Sequence, residues 1–257
     1  MYPTRTVVAV AAALVVGPIT VATPATAVVG GTEVAASDYP WLAAIGTPVF
    51  FPRPSGQFCG GALIAADQLL TAAHCVDLAK AVPGALTVTF GRSDLRTDDG
   101  ETVGVTEIRV HPDFHDTDFD GEDVHHDDLA VLTLDQQRPG PYAQLAIPDH
   151  DDAGYDRTAP GTVLGWGATA EDDDSNVLLH KTEVPLVSDD DCAAAYGESF
   201  DPSQMLCAGS PEADTGQFDS GGPLLVGDHL VGLTSWAKGT ARPGFPGVYT
   251  RLSNVAF

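Results

Sequence analysis

The ten residues from Asp214 to Pro223 constrain this chain more than any other stretch. They read Asp-Thr-Gly-Gln-Phe-Asp-Ser-Gly-Gly-Pro, with Ser220 held between Asp219 and the pair Gly221-Gly222. A serine on a glycine-bounded turn can present its hydroxyl to a cleft while backbone N–H groups of the same turn face the same point. Those are a nucleophile and an oxyanion cradle, two of the parts that acyl transfer needs. A serine hydroxyl is barely ionised at neutral pH, so it needs a base within hydrogen-bond reach and a carboxylate to orient that base. Thr71-Ala72-Ala73-His74-Cys75 offers an imidazole, and Asp128-Leu129-Ala130-Val131-Leu132 offers a carboxylate. Taken singly, each is ordinary in a chain with eight histidines and 36 acidic residues.

With these three segments in the order His74, Asp128, Ser220, the chain resembles the trypsin family of serine proteases, whose signatures are TAAHC, D-[IL]-A-[LV]-L and GDSGGP. The likeness continues at Val28-Val29-Gly30-Gly31, Tyr39-Pro40-Trp41, Gly165-Trp166-Gly167, Ser235-Trp236 and Pro246-Gly247-Val248-Tyr249-Thr250, so it covers nearly everything after residue 27. The resemblance implies an all-β fold of two antiparallel six-stranded barrels with the active site in the cleft between them. It implies a serine endopeptidase acting on protein or peptide substrates through an acyl-enzyme, with no required cofactor. His74 would be the base, Asp128 its orienting carboxylate and Ser220 the nucleophile, with the N–H groups of Phe218 and Ser220 as oxyanion donors. Asp214, six residues before Ser220, would lie at the floor of the specificity pocket and select Arg or Lys. Ser235, Trp236 and Ala237 would line one wall and Gly247 the other. A free amine on Val28 would fold inward onto Asp219. The four cysteines alone allow three pairings; the family pattern implies Cys59–Cys75 and Cys192–Cys207.

The chain departs from the family at several positions. Phe218 stands where a glycine is usual, and a bulky residue there either flips the peptide or projects its ring toward the leaving-group side. Gly216 and Thr240 replace a cysteine pair that usually braces the pocket, and Ala237 replaces a glycine at its mouth. Arg92 stands where relatives often carry a calcium-binding glutamate. Only Ser253 to Phe257 follow the last strand-like segment, where the family has a helix.

Composition agrees with an exported globular protein. The chain has 257 residues, 44% of them hydrophobic, and a formal charge of −24, which argues against nucleic acid or an anionic membrane surface as partner. Residues 1–27 read as a signal peptide: Arg5, an apolar run from Val7 to Val16, and the small-x-small site Ala25-Thr26-Ala27. Cleavage there would produce the Val28 amine directly, with no zymogen stage. No later stretch is apolar enough for a membrane anchor, and a secreted monomer is expected. After Gly31 the pattern is strands and turns. Leu86-Thr87-Val88-Thr89-Phe90 alternates, and Gly227-Asp228-His229 separates two apolar runs as a hairpin would. The segment Gln136–Pro141 reads as a linker, dividing the peptidase domain into residues 28–140 and 141–257.

One motif points to a metal. Asp116, Asp118 and Asp120 precede Gly121 in the pattern D-x-D-x-D-G, with Asp127 at the twelfth position, so calcium is a candidate ligand of this loop. The doublet His125-His126 lacks the spaced partners of a zinc site. Two alternatives to a trypsin-like enzyme are a non-catalytic relative that binds partners and a protease with a different preference.

Overall fold

The computed structural model describes residues 28–48, 53–146, 156–173 and 175–254. The segment read as a signal peptide lies outside them. In chain order, β1 (Thr32–Glu33) is followed by β2 (Leu42–Gly46), β3 (Gln57–Ala65), β4 (Gln68–Thr71), β5 (Thr87–Phe90) and β6 (Glu101–Val110). The strands β7 (His115–Phe119) and β8 (Glu122–His126) form a separate hairpin, and β9 (Ala130–Leu134) follows. Strands β2-β3-β4-β9-β6-β5 close into a six-stranded barrel. Its members alternate: in β5, Val88 and Phe90 point into the barrel against Ile45, Leu63, Leu69 and Leu132.

The second half contributes β10 (Gln144–Leu145), β11 (Gly161–Gly165), β12 (His180–Val184), β13 (Leu186–Val187), β14 (Met205–Ala208), β15 (Pro223–Val226), β16 (His229–Trp236) and β17 (Gly247–Arg251). Their sheet runs β12-β11-β15-β16-β17-β14-β13. Leaving aside β1, which adds outside β12, the first and last strands of this order, β12 and β13, are one run of chain broken only by Pro185. Proline has no N–H to give to a ladder, so the run bends there and leaves one neighbour for another. Counted this way, six strands surround the second core of Val163, Leu206, Leu224, Val231 and Tyr249. The hairpin expected around Gly227 is present as β15–β16, with Gly227 at φ +58°.

The two halves share a third cluster that includes Leu70 and Val131 from the first and Leu164, Trp166, Leu230 and Leu233 from the second. Burying six such side chains is worth on the order of 10 kcal/mol of transfer free energy, which fixes the cleft between the barrels. The chain start crosses over: β1 pairs with β12, Val29 pairs with Asp214, and Val28 is fully buried in the second core. Two short helices matter to the site, α1 (Ala73–Val76) and α2 (Asp189–Tyr196). Both expected cysteine pairs are bonded, Cys59–Cys75 and Cys192–Cys207. Among the described residues no helix is long and apolar enough to cross a membrane.

Candidate active site

β4 ends at Thr71 and delivers His74 on α1, which the Cys59–Cys75 bond ties back to β3. Asp128 sits one residue before the buried Leu129 and is itself buried. Its carboxylate takes the His74 backbone N–H at 2.9 Å and faces His74 Nδ1 at 2.8 Å. The Ser235 hydroxyl donates to the same carboxylate at 2.6 Å. Burial pushes Asp128 up, but the charge and hydrogen bond of His74 outweigh it, with smaller help from His125 and Ser235, and hold it at about 2. Burial lowers His74, Asp128 raises it, and the balance leaves it above the ordinary 6.5. The arrangement sets an ionised carboxylate against Nδ1, while Nε2, the nitrogen a base would use, lies 3.7 Å from Cys75 Sγ.

Ser220 and His74 both line one cleft of about 420 Å³. Among the described residues no hydrogen bond joins the Ser220 hydroxyl to His74; catalytic hydrogen bonds commonly tighten only when substrate fills the site. Backbone and side-chain contacts both hold the turn. Gly60 N–H on the first barrel donates to the Ser220 carbonyl at 2.8 Å, and Gly221 N–H donates to Thr234 at 2.8 Å. Gly221 has φ +71°, and a Cβ there would lie 2.3 Å from Thr71 Oγ1. The backbone N–H groups of Phe218 and Ser220 donate to no acceptor among the described residues. Phe218 keeps φ +75° despite its side chain, and its ring lies under the Arg53 guanidinium at 4.1 Å.

Asp214 is buried behind the cleft: its neighbour Thr215 lines the cleft and Asp214 itself does not. Thr215 N–H donates to Oδ1 at 2.8 Å and Ala241 N–H to Oδ2 at 2.9 Å. Burial drives its pKa to about 7, with Asp219 a minor contributor. Gly247 leaves room for the carboxylate: a Cβ there would stand 2.9 Å from Oδ1. The walls of the cleft are formed by Thr215 to Gln217 and by Thr234 to Ala237 with Gly239 and Thr240, while Gly247, expected as a wall, does not line it. Gly216 presses against Ala168, and a Cβ there would sit 2.3 Å from the Ala168 carbonyl oxygen, so the wall is braced by backbone contact where a disulfide is missing. Asp219 is also buried, receives N–H bonds from Gly167 (2.7 Å) and Gly216 (2.9 Å), and is driven by burial to about 7.

The structure does not gather the carboxylates of the D-x-D-x-D-G segment. Asp120 and Gly121, at φ +54° and +89°, form the two-residue turn of the β7–β8 hairpin. Asp-Gly is a favoured hairpin turn, and that use of the pair prevails over a cation loop. Alternation then sets Asp116 and Asp118 on one strand face, where Asp116 binds His125 Nδ1 at 2.8 Å. Asp120 instead pairs with Lys238, and Asp127 gives its N–H to Gln204. The two histidines point to opposite faces. His125 stacks on His74 with ring centres 4.3 Å apart, and His126 stacks on His115 at 4.6 Å. Among the described residues the one cluster with three metal-type ligands in mutual reach is Cys59, His74 and Cys75, whose sulfurs are already bonded to each other.

Sequence reasoning missed His125 as a wall of the site and Phe119 as the anchor of the hairpin. Phe119 packs among Tyr196, Trp236 and Phe245, under Lys238. The signal available was the strand alternation itself, which sets His125 and Phe119 on opposite faces of one hairpin.

The trypsin family model matches residues 28–256. A trypsin of Saccharopolyspora erythraea is 41% identical over 88% of this chain and 93% of its own length. Trypsin-1 of Astacus astacus is 36% identical over 88% of the chain and 95% of its own length. A trypsin-like protease of Streptomyces glaucescens is 35% identical over 89% of the chain and 80% of its own length. Barrels, cleft, imidazole, carboxylate and serine turn therefore coincide with relatedness along the whole described chain, and the chain belongs to the trypsin family of serine endopeptidases.

Proposed function

We propose that this endopeptidase cuts on the carboxyl side of Arg and Lys, with His74, Asp128 and Ser220 as its catalytic triad. Ser220 Oγ attacks the substrate carbonyl as His74 Nε2 takes its proton, and Asp128 stabilises the imidazolium that results. The carbonyl oxygen, now negative, takes hydrogen bonds from the unengaged N–H groups of Phe218 and Ser220. The tetrahedral adduct collapses as His74 returns the proton to the leaving amine, and water repeats the sequence to release the acid.

The observation that carries the specificity is Asp214: a buried carboxylate held by two backbone N–H groups and no cationic side chain among the described residues. A cationic side chain entering between the walls would complete its solvation. A substrate panel ending in Arg, Lys, Phe or Ala tests this. Preference for Arg and Lys by at least a hundredfold is expected, and equal cleavage after Phe or Ala would overturn it.

We further propose secretion, with residues 1–27 removed so that the Val28 ammonium pairs with Asp219. Support comes from the full burial of Val28 and from the Asp219 carboxylate, driven up by burial and without an ion-pair partner among the described residues. Amino-terminal sequencing of protein recovered from culture medium should begin at Val28; a different start would count against the scheme.

A further inference from the structure

Phe218 is a phenylalanine in left-handed backbone conformation, at φ +75°. A side chain disfavours this region, and the strain would be relieved by rotating the Gln217–Phe218 peptide toward negative φ. That rotation would turn the Phe218 N–H away from its present direction. Something must oppose it, and the structure contains a chain of contacts that does so from both sides.

On the near side, Ala168 N–H donates to the Gln217 carbonyl at 2.8 Å. On the far side, Gln57 Nε2 donates to the Phe218 carbonyl at 2.9 Å and approaches the Cys59 carbonyl at 3.3 Å. Gln57 is fully buried, and a buried amide must place both of its ends. Its Oε1 accepts from Arg53 Nε at 3.1 Å, which fixes which end of the amide faces Phe218. Arg53 is itself anchored, donating through Nη2 to the carbonyls of Trp166 and Asn176, each at 2.9 Å. Its guanidinium covers the Phe218 ring at 4.1 Å. Arg53 and Gln57 thus hold the ring and the carbonyl of one residue.

We infer that Gln57 and Arg53 are positioning residues that keep Phe218 left-handed, so that its N–H stays aimed at the reacting carbonyl oxygen. The inference rests on the assignment of that N–H as an oxyanion donor. It explains how this chain tolerates a phenylalanine where glycine would be free of strain. Loss of the clamp lets the peptide rotate and removes one donor, an effect on the order of 10²–10³ in kcat for complete loss.

The test is a double-mutant cycle on the full chain. Gln57→Leu and Arg53→Met are each made with Phe218 and with Phe218→Gly, which needs no clamp. The readouts are kcat and KM on an Arg amide substrate, affinity for an Arg peptide aldehyde, and affinity for benzamidine. With Phe218 present, Gln57→Leu should lower kcat at least tenfold and weaken the aldehyde in parallel. KM and benzamidine affinity should stay within about twofold of the parent. In the Phe218→Gly background the same change should cost less than threefold. Equal losses in both backgrounds, or no loss in either, would overturn the inference. Arg53→Met is judged by the same criterion and decides the matter if Gln57→Leu does not accumulate as folded protein. Failure of the underlying assignment is separable. A parent enzyme that a serine-directed phosphonate does not label has no working site, and the clamp falls with it.

Discussion

Replacing Asp214 with Asn should make the protein a worse enzyme and a more stable one, and both magnitudes follow from the pocket. The Asp214 carboxyl titrates near 7 in the folded protein because burial disfavours its charge, against an ordinary value of 3.8. The unfolded chain ionises this group first, so native stability falls as pH rises from about 4 to about 7 and the full penalty remains above that. A shift of about three units at roughly 1.4 kcal/mol each gives a penalty of about 4 kcal/mol at pH 9. Asparagine removes the charge but sets its NH₂ against the N–H of Thr215 or Ala241, a mismatch of about 1–3 kcal/mol. The net gain is about 2 kcal/mol at pH 9, or roughly 4–8 °C in Tm for a domain of this size. At pH 4 the parent carboxyl is already neutral when folded, so the variant should match or trail the parent. Melting curves at pH 4 and pH 9 in a Ser220→Ala background, which prevents self-digestion, read the difference. In the active background, kcat/KM on Arg substrates should drop by about 10²–10⁴, because a cation would enter a buried site with no counter-charge. A Tm difference that stays flat from pH 4 to pH 9 would refute the burial argument. Undiminished cleavage after Arg would refute the pocket assignment.

Three further outcomes are expected. Asp128→Asn should lower kcat by about 10⁴ with KM little changed, because the His74 ring loses the carboxylate that fixes its tautomer; steady-state kinetics on an Arg amide reads this. The acid limb of kcat/KM should lie above 6.5, since His74 must lose a proton held more tightly than usual. Asp214 must also ionise near 7, so the limb should approach a slope of two in the parent and one in Asp214→Asn. Replacing Cys59 and Cys75 together with Ser should cost about 3 kcal/mol, seen as a Tm drop of roughly 6–12 °C, because a loop with a separation of 16 residues is released.

The parts of the site legible in the sequence were those fixed by local chemistry. The glycines around Ser220 are needed because the turn meets Thr71 and Gly60 without room for a methyl, and such a requirement leaves a recognisable string. Strand alternation likewise announced β5 and the hairpin at Gly227. What escaped reading depends on contacts across the fold. The pair Asp120-Gly121 serves a cation loop or a hairpin turn equally well on paper. The choice is decided by Phe119 packing on Trp236 and by Lys238 reaching Asp120 from more than a hundred residues away. The clamp on Phe218 joins residues 161 apart in sequence. The bend that passes one run from β12 to β13 hangs on a single proline, which local pattern alone would read as a strand end.

The meeting of Gly60 with Gly222 has a consequence for anyone recombining this enzyme with its relatives. A Cβ on Gly60 would lie 3.1 Å from the Gly222 Cα, so the halves touch there main chain to main chain, two residues from Ser220, the proposed nucleophile. A chimera that exchanges one half for a relative's must preserve this main-chain contact. Gly60→Ala would press on Gly222 across the seam and pull the hydroxyl off its mark while each hydrophobic core stayed intact, whereas Gly222→Ala would meet Asp219 and Leu164 on its own side.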